Sequence, residues 1–150
     1  MLCALEANDP EEARDIYDSM PAEIKDEPAT RYLLFKSAAL AGDCGAATEC
    51  LRVMMKGSAD ASHVLACVHT AQQAQSRLIT LEATQALLEC HDRGRIDGSQ
   101  VSLPTLLRCS IRLLQGLAKE PIFTESPESY AERMCGLFEA GQLHGRHRTA

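Results

Sequence analysis

Asn8-Asp9-Pro10-Glu11-Glu12-Ala13-Arg14-Asp15-Ile16-Tyr17-Asp18-Ser19-Met20 is answered further along by Gly42-Asp43-Cys44-Gly45-Ala46-Ala47-Thr48-Glu49-Cys50-Leu51-Arg52-Val53-Met54-Met55. Each stretch opens on a turn dipeptide, Asn8-Asp9 or Gly42-Asp43, and continues with apolar residues at i, i+3, i+4 and i+7. In the first these are Ala13, Ile16, Tyr17 and Met20; in the second they are Ala47, Cys50, Leu51 and Met54. That spacing draws one apolar stripe along one side of a helix. Ala47 follows Ala13, and Met54 follows Met20, by 34 residues. A hairpin unit that cannot bury its stripe alone must stack on the next one.

Thirty-four residues is the period of the tetratricopeptide repeat (TPR). The fold expected is therefore all-α: a TPR-like helical-hairpin repeat, wound as a right-handed α-superhelix, of about seven full helices plus a partial first. Met1 to Ala7 spans only about two turns and reads as the end of a helix. Asp9 as N-cap, Pro10 in the first turn and Glu12 as capping-box residue start the second, which stops before Pro21. Lys25 to Pro28 is a polar link, and Thr30 to Ala41 is apolar on several sides, as a helix held between neighbours must be. The fourth helix runs from the Gly42-Asp43 turn to Lys56-Gly57. Ser58 to Asp60 cap a fifth over Ala61 to Gln75, and a sixth covers Leu78 to His91. The sixth carries the stripe at Ala83, Ala86, Leu87 and Cys90, 36 residues after the Ala47 set, so its unit reads as two residues longer. Loops at 92–102 and 120–125 flank a seventh helix, which has Pro104 in its first turn and ends at Leu117. Ser126-Pro127 opens the eighth, with its stripe at Ala131, Met134, Cys135 and Phe138. Residues 1–141 form one repeat domain, read as a fragment of a longer solenoid, and 142–150 a disordered tail.

Composition narrows the function classes. The net charge of −6 opposes a broad nucleic-acid surface, because phosphate binding needs a basic field. Seven cysteines, odd in number, scattered and mostly at helix-core spacings, read as small buried hydrophobes in a reducing compartment. No apolar run reaches the length of a membrane helix, and the first residues lack a basic-then-apolar signal pattern. An intracellular, soluble protein is expected.

Five segments carry a family likeness: Glu11-Glu12-Ala13-Arg14 with Met20-Pro21, Thr30-Arg31-Tyr32-Leu33-Leu34-Phe35-Lys36, Ala47-Thr48-Glu49-Cys50-Leu51, Leu65-Ala66-Cys67-Val68-His69-Thr70-Ala71-Gln72-Gln73, and Leu103-Pro104-Thr105-Leu106-Leu107-Arg108-Cys109-Ser110-Ile111-Arg112-Leu113-Leu114. Through them the chain resembles the meiosis-specific TPR scaffold family called Zip-four or Spo-twenty-two, of the ZMM group, in its fungal form. The resemblance implies a nuclear protein of meiotic chromosomes that promotes crossover formation and synaptonemal-complex assembly by bridging other chromosome proteins. The residues themselves hold no Gly-rich phosphate loop, no His-Glu-x-x-His and no Gly-x-Ser-x-Gly, so no enzyme activity, cofactor or small-molecule substrate is expected, and the charge and apolar run lengths give no expectation of direct nucleic-acid contact or of a membrane. The general TPR pattern is met only in part: Ala47 and Leu51 stand for its A-x3-F pair, while Phe35 replaces its close-packing Gly.

Lys36, Gln73, Arg108 and Arg112 occupy comparable stations on first-of-pair helices, which line the concave face of such a stack. They are the candidate partner-binding residues, a ladder for an acidic or extended peptide, set against a reading as solvated charges. The rival class is a peptide-docking TPR module of a cochaperone or trafficking adaptor. It needs Asn beside its basic groups, and the matching Asn residues are absent. His63 and Cys67, at i and i+4, with His69 nearby, are zinc-ligand types, but a tetrahedral site wants four convergent ligands and no second pair lies at metal spacing. They read as core Cys and surface His. Cys90-His91-Asp92 mimics a catalytic trio in name only, since adjacent helical residues point about 100° apart.

Overall fold

The computed structural model describes residues 1–57, 61–96, 101–121 and 125–146, the last stretch without the side chains of 140, 141 and 143–146. Among them are nine helices and no strand: α1 Leu2–Glu6, α2 Pro10–Asp18, α3 Ala22–Lys25, α4 Pro28–Ala41, α5 Cys44–Lys56, α6 Ala61–Gln73, α7 Arg77–Asp92, α8 Leu103–Leu117 and α9 Pro127–Arg146. The all-α class holds. The count exceeds the expected one by α3, a single turn between Pro21 and the polar link that is too short to show a period. Lys25, its last residue, donates to Asp18 O at 2.9 Å and stands 5.3 Å over the Tyr17 ring, which closes the C-terminal end of α2. Ser58 to Asp60, expected to cap α6, and residues 147–150 of the expected tail lie outside the described residues. The backbone of α9 runs through Gly141 to Arg146, so the helix ends beyond the boundary set at 141.

Three hairpin turns share one device. The residue just before the cap of the second helix takes a left-handed backbone: Asn8 at φ 59°, Gly42 at φ 72° and Gln75 at φ 57°. The next residue then caps the second helix through its side chain. Asp9 accepts from Glu12 N at 3.0 Å, Asp43 from Ala46 N at 2.9 Å and Ser76 from Ile79 N at 3.4 Å. At Gly42 the bonds Gly42 N to Ala39 O and Asp43 N to Ala38 O satisfy two carbonyls at the end of α4, and a side chain there would be strained. Gln75 follows Gly42 by 33 residues, so the third unit is one residue shorter than the period, not two longer.

The expected α7 stripe, Ala83, Ala86, Leu87 and Cys90, is buried throughout, and counting from the N-cap shows which stations the units share. The fourth, seventh, eighth and eleventh residues after the cap are Ala13, Ile16, Tyr17 and Met20 in α2 and just beyond it, and Ala47, Cys50, Leu51 and Met54 in α5. In α7 they are Thr80, Ala83, Thr84 and Leu87; in α9, after the Ser126 cap, they are Tyr130, Arg133, Met134 and Leu137. All of these are buried or half-buried. Thr80 and Thr84 enter the core because their hydroxyls donate to Ser76 O and Thr80 O, both at 2.7 Å. In α9 the expected set is off by one: Leu137 is buried, whereas Ala131 and Cys135 are exposed and Phe138 is 56% exposed. The reason is Arg133, a charged residue at a core station, which an apolar count passes over.

Neighbouring units pack in sequence. α4 lies against α2, α5 and α6, α5 against α7, α6 against α7, and α8 against α7 and α9. This explains the many-sided burial of α4 at Leu34, Phe35, Ser37, Ala38 and Ala39; Leu40, expected inside, is exposed. Cross-links fix the order: Ser37 Oγ donates to Pro10 O at 2.8 Å, the Tyr32 and Thr70 hydroxyls meet at 3.1 Å, and Arg14 holds Asp43 at 3.0 Å. The core is one cluster from Tyr17 to Leu137, with a small second one around Ala4, Leu5 and Ala13.

Candidate interaction surface

α8 turns Leu103, Leu106, Ser110, Leu114 and Leu117 inward, a spacing that leaves the opposite side of the helix to Arg108 and Arg112. Both are exposed. From Val101 to Lys119 the sequence holds three cations, Arg108, Arg112 and Lys119, and no acid; Glu120 follows at once and is engaged by Arg77, so this face keeps an excess of positive charge on a chain of net charge −6.

What sets the two arginines apart is their lack of partners. Every other arginine with a described side chain is occupied. Arg14 pairs with Asp43, Arg31 with Asp26, Arg52 with Glu49, Arg77 with Glu120 and Arg93 with Glu89. Arg93 and Arg95 also donate to Met55 O and Gly57 O, each at 3.2 Å, and so cover the carbonyl end of α5. Arg133 is held by Glu82, Gln85 and Glu125. Among the described residues Arg108, Arg112 and Lys119 have no hydrogen bond or ion pair.

The α6–α7 turn and the second half of α8 enclose a groove of about 1010 Å³ lined by Gln72, Gln75, Ser76, Arg77, Arg112 and Lys119, among others. Of the four expected partner-binding residues only Arg112 lines it. Arg108 lies one helical turn before Arg112, Gln73 is exposed on α6 beside Gln72, and Lys36 is half-buried on α4. α4 and α6 pack together, but α8 rests on α7, so the structure does not gather the four in one cleft. The 92–102 insertion separates α8 from the regular spacing of the earlier units. Lys119 was legible as a third cation seven residues after Arg112; Gln75 and Ser76 were not, because Gln in a left-handed turn gives no sequence signal.

A second groove, of about 460 Å³, runs between α5 and α7 past Arg52, Lys56, Glu82, Glu89, Arg93 and Arg95. Its arginines are the paired ones. Of the seven cysteines, expected to be buried, only Cys50, Cys67 and Cys90 are; Cys44 is half-buried, and Cys3, Cys109 and Cys135 are exposed because they lie off the packed stripes of their helices. Cys67 is fully buried and its thiol is pushed up by desolvation; Cys50 is raised to about 11 by burial, against the opposing pull of Arg31. The Cys90 sulfur meets Met55 Sδ at 3.4 Å rather than His91, whose Nδ1 lies 4.0 Å from Asp92. His69 is exposed and His63 half-buried, and among the described residues no three His, Cys, Asp or Glu converge as metal ligands. No helix among them is long and apolar enough to cross a membrane. No protein-family model matches the chain, and neither a curated protein nor a solved structure does.

Proposed function

We propose that this chain is a non-enzymatic protein–protein interaction scaffold whose hairpins stack as a TPR-like right-handed superhelix and whose partners contact the α8 side. The observation that carries the reading is the pair Arg108 and Arg112: exposed, unpartnered among the described residues, and positive on an acidic chain. Buried or clamped arginines hold a fold; free ones on a rigid helix are available to a partner's carboxylates. Sequential packing of the units and the shared turn device support the repeat reading, since stacked hairpins expose long continuous surfaces.

The five family-like segments support a nuclear setting on meiotic chromosomes, with a role in crossover formation and synaptonemal-complex assembly through contacts to other chromosome proteins. Lys36 and Gln73 are proposed as outlying members of the same partner surface. The test is genetic: meiotic cells lacking the gene are scored for crossover number and for synaptonemal-complex length. Fewer crossovers and shortened complexes are expected. Normal values for both would remove the meiotic role.

A further inference from the structure

The geometry points to one defined ligand for the groove between the α6–α7 turn and α8: we propose that it binds an extended acidic peptide of a partner protein. The proposal rests on the scaffold reading and adds where the partner docks and in what form.

Arg112 and Lys119 line the groove without partners of their own, whereas Arg77 is engaged at 2.6 Å by Glu120, an acid that lines the same groove. A ligand carboxylate is what both free cations lack. Gln72 and Gln75 on the facing wall bring side-chain amides, which can donate to and accept from an extended backbone. Leu113 and Cys109 supply apolar surface between the cations, and Gly116, lacking a side chain, keeps the floor low beneath Arg77. The amides favour an extended ligand over a helical one, whose backbone groups are already paired within the helix. Arg108 and Arg112, four residues apart, are separated by about 6 Å along α8. Alternate residues of an extended chain, which share a face, recur every 6.6–6.8 Å or so. Carboxylates at alternate positions therefore come close to Arg108 and Arg112 together; Lys119, about 10 Å further on, falls between such positions and reaches a further carboxylate through its long flexible side chain.

The probe is a fluorescein-labelled dodecapeptide of alternating Glu and Gly, followed by anisotropy with the full chain. Its Gln-for-Glu counterpart and a dodecathymidylate serve as competitors of different chemistry. The Glu peptide is expected to bind at least about tenfold tighter than the Gln peptide, and to weaken as salt is raised. Arg112→Glu with Lys119→Glu should remove that binding, and Arg52→Glu with Lys56→Glu, in the other groove, should leave it unchanged. Circular dichroism is expected to show that both variants keep their helices. A second readout locates the peptide: alkylation of exposed Cys109 should slow on binding, while that of exposed Cys3 and Cys135 should not.

Equal binding of the two peptides, tighter binding of the dodecathymidylate, retention in the Arg112/Lys119 variant or equal slowing at all three cysteines would each overturn the proposal. So would no binding at millimolar peptide. If the peptide fails while recovery of a cellular partner still depends on Arg108, the groove assignment falls and the scaffold reading stands.

Discussion

α8 and α9 are packed neighbours, and each carries an arginine four residues or fewer from an apolar stripe, yet the two helices use the residue oppositely. On α9, Arg133 sits at a core station and is clamped by Glu82, Gln85 and Glu125, with its side chain 20% exposed. On α8, Arg108 and Arg112 face away from the core and touch no partner among the described residues. A charge that has been taken from water must be compensated by the fold, whereas a charge left in water costs the fold nothing and stays available. The comparison separates arginines that build this protein from arginines that it offers.

Its sharpest consequence is for stability. Arg133→Ala strands two carboxylates in a partly desolvated place and should cost about 2 kcal/mol, below the range for a fully buried pair. The urea midpoint measures it. Arg133→Met strands the same two carboxylates but keeps the packing of the stem, so it should cost somewhat less. A midpoint unmoved by Arg133→Ala would erase the distinction between the helices.

The register of α9 comes next. Leu137→Ala should cost on the order of 2 kcal/mol and Phe138→Ala less than about 0.5, because the first empties a core site and the second trims an exposed ring. Reversed values would restore the stripe expected from apolar spacing. That error is instructive. The helices of the first two units were legible because Asp9 and Asp43 are strong caps and the stripes after them are wholly apolar. In α7 the same stations hold Thr80 and Thr84, and in α9 they hold Arg133, polar residues whose hydrogen bonds are visible only in three dimensions. The hairpin turn at Gln75 was hidden for a similar reason, since neither Gln75 nor Ser76 announces a left-handed turn as Gly42 does. Arg108 and Arg112 could be singled out by their helical face alone. Their lack of partners could not, because it depends on where every carboxylate falls.

Paired arginines at the surface should matter less than Arg133. Arg93→Ala with Arg95→Ala uncovers two carbonyls at the end of α5, but both side chains are largely solvated. A loss of about 1 kcal/mol in the same denaturation assay is expected.

Arg14 gives a smaller effect, readable through pH. The Asp43 carboxyl is held below its usual range first by the Ala46 N–H and then by Arg14. A lowered folded-state pKa contributes stability above the unfolded value near 4, and that contribution is lost as pH falls through the folded value. Asp43→Asn should therefore flatten the fall in stability below about pH 4. A decline as steep as that of the wild type would show that Asp43 does not carry it.

The most direct measurement joins stability to recognition in one variant. Arg108→Glu with Arg112→Glu is expected to leave the urea midpoint within about 0.5 kcal/mol of wild type, since neither side chain has a partner to lose. In the same variant, co-precipitation from meiotic cells is expected to lose the partners that the wild-type chain recovers. A shifted midpoint with full partner recovery would contradict the account, because the two arginines would then be building the fold and not offering it.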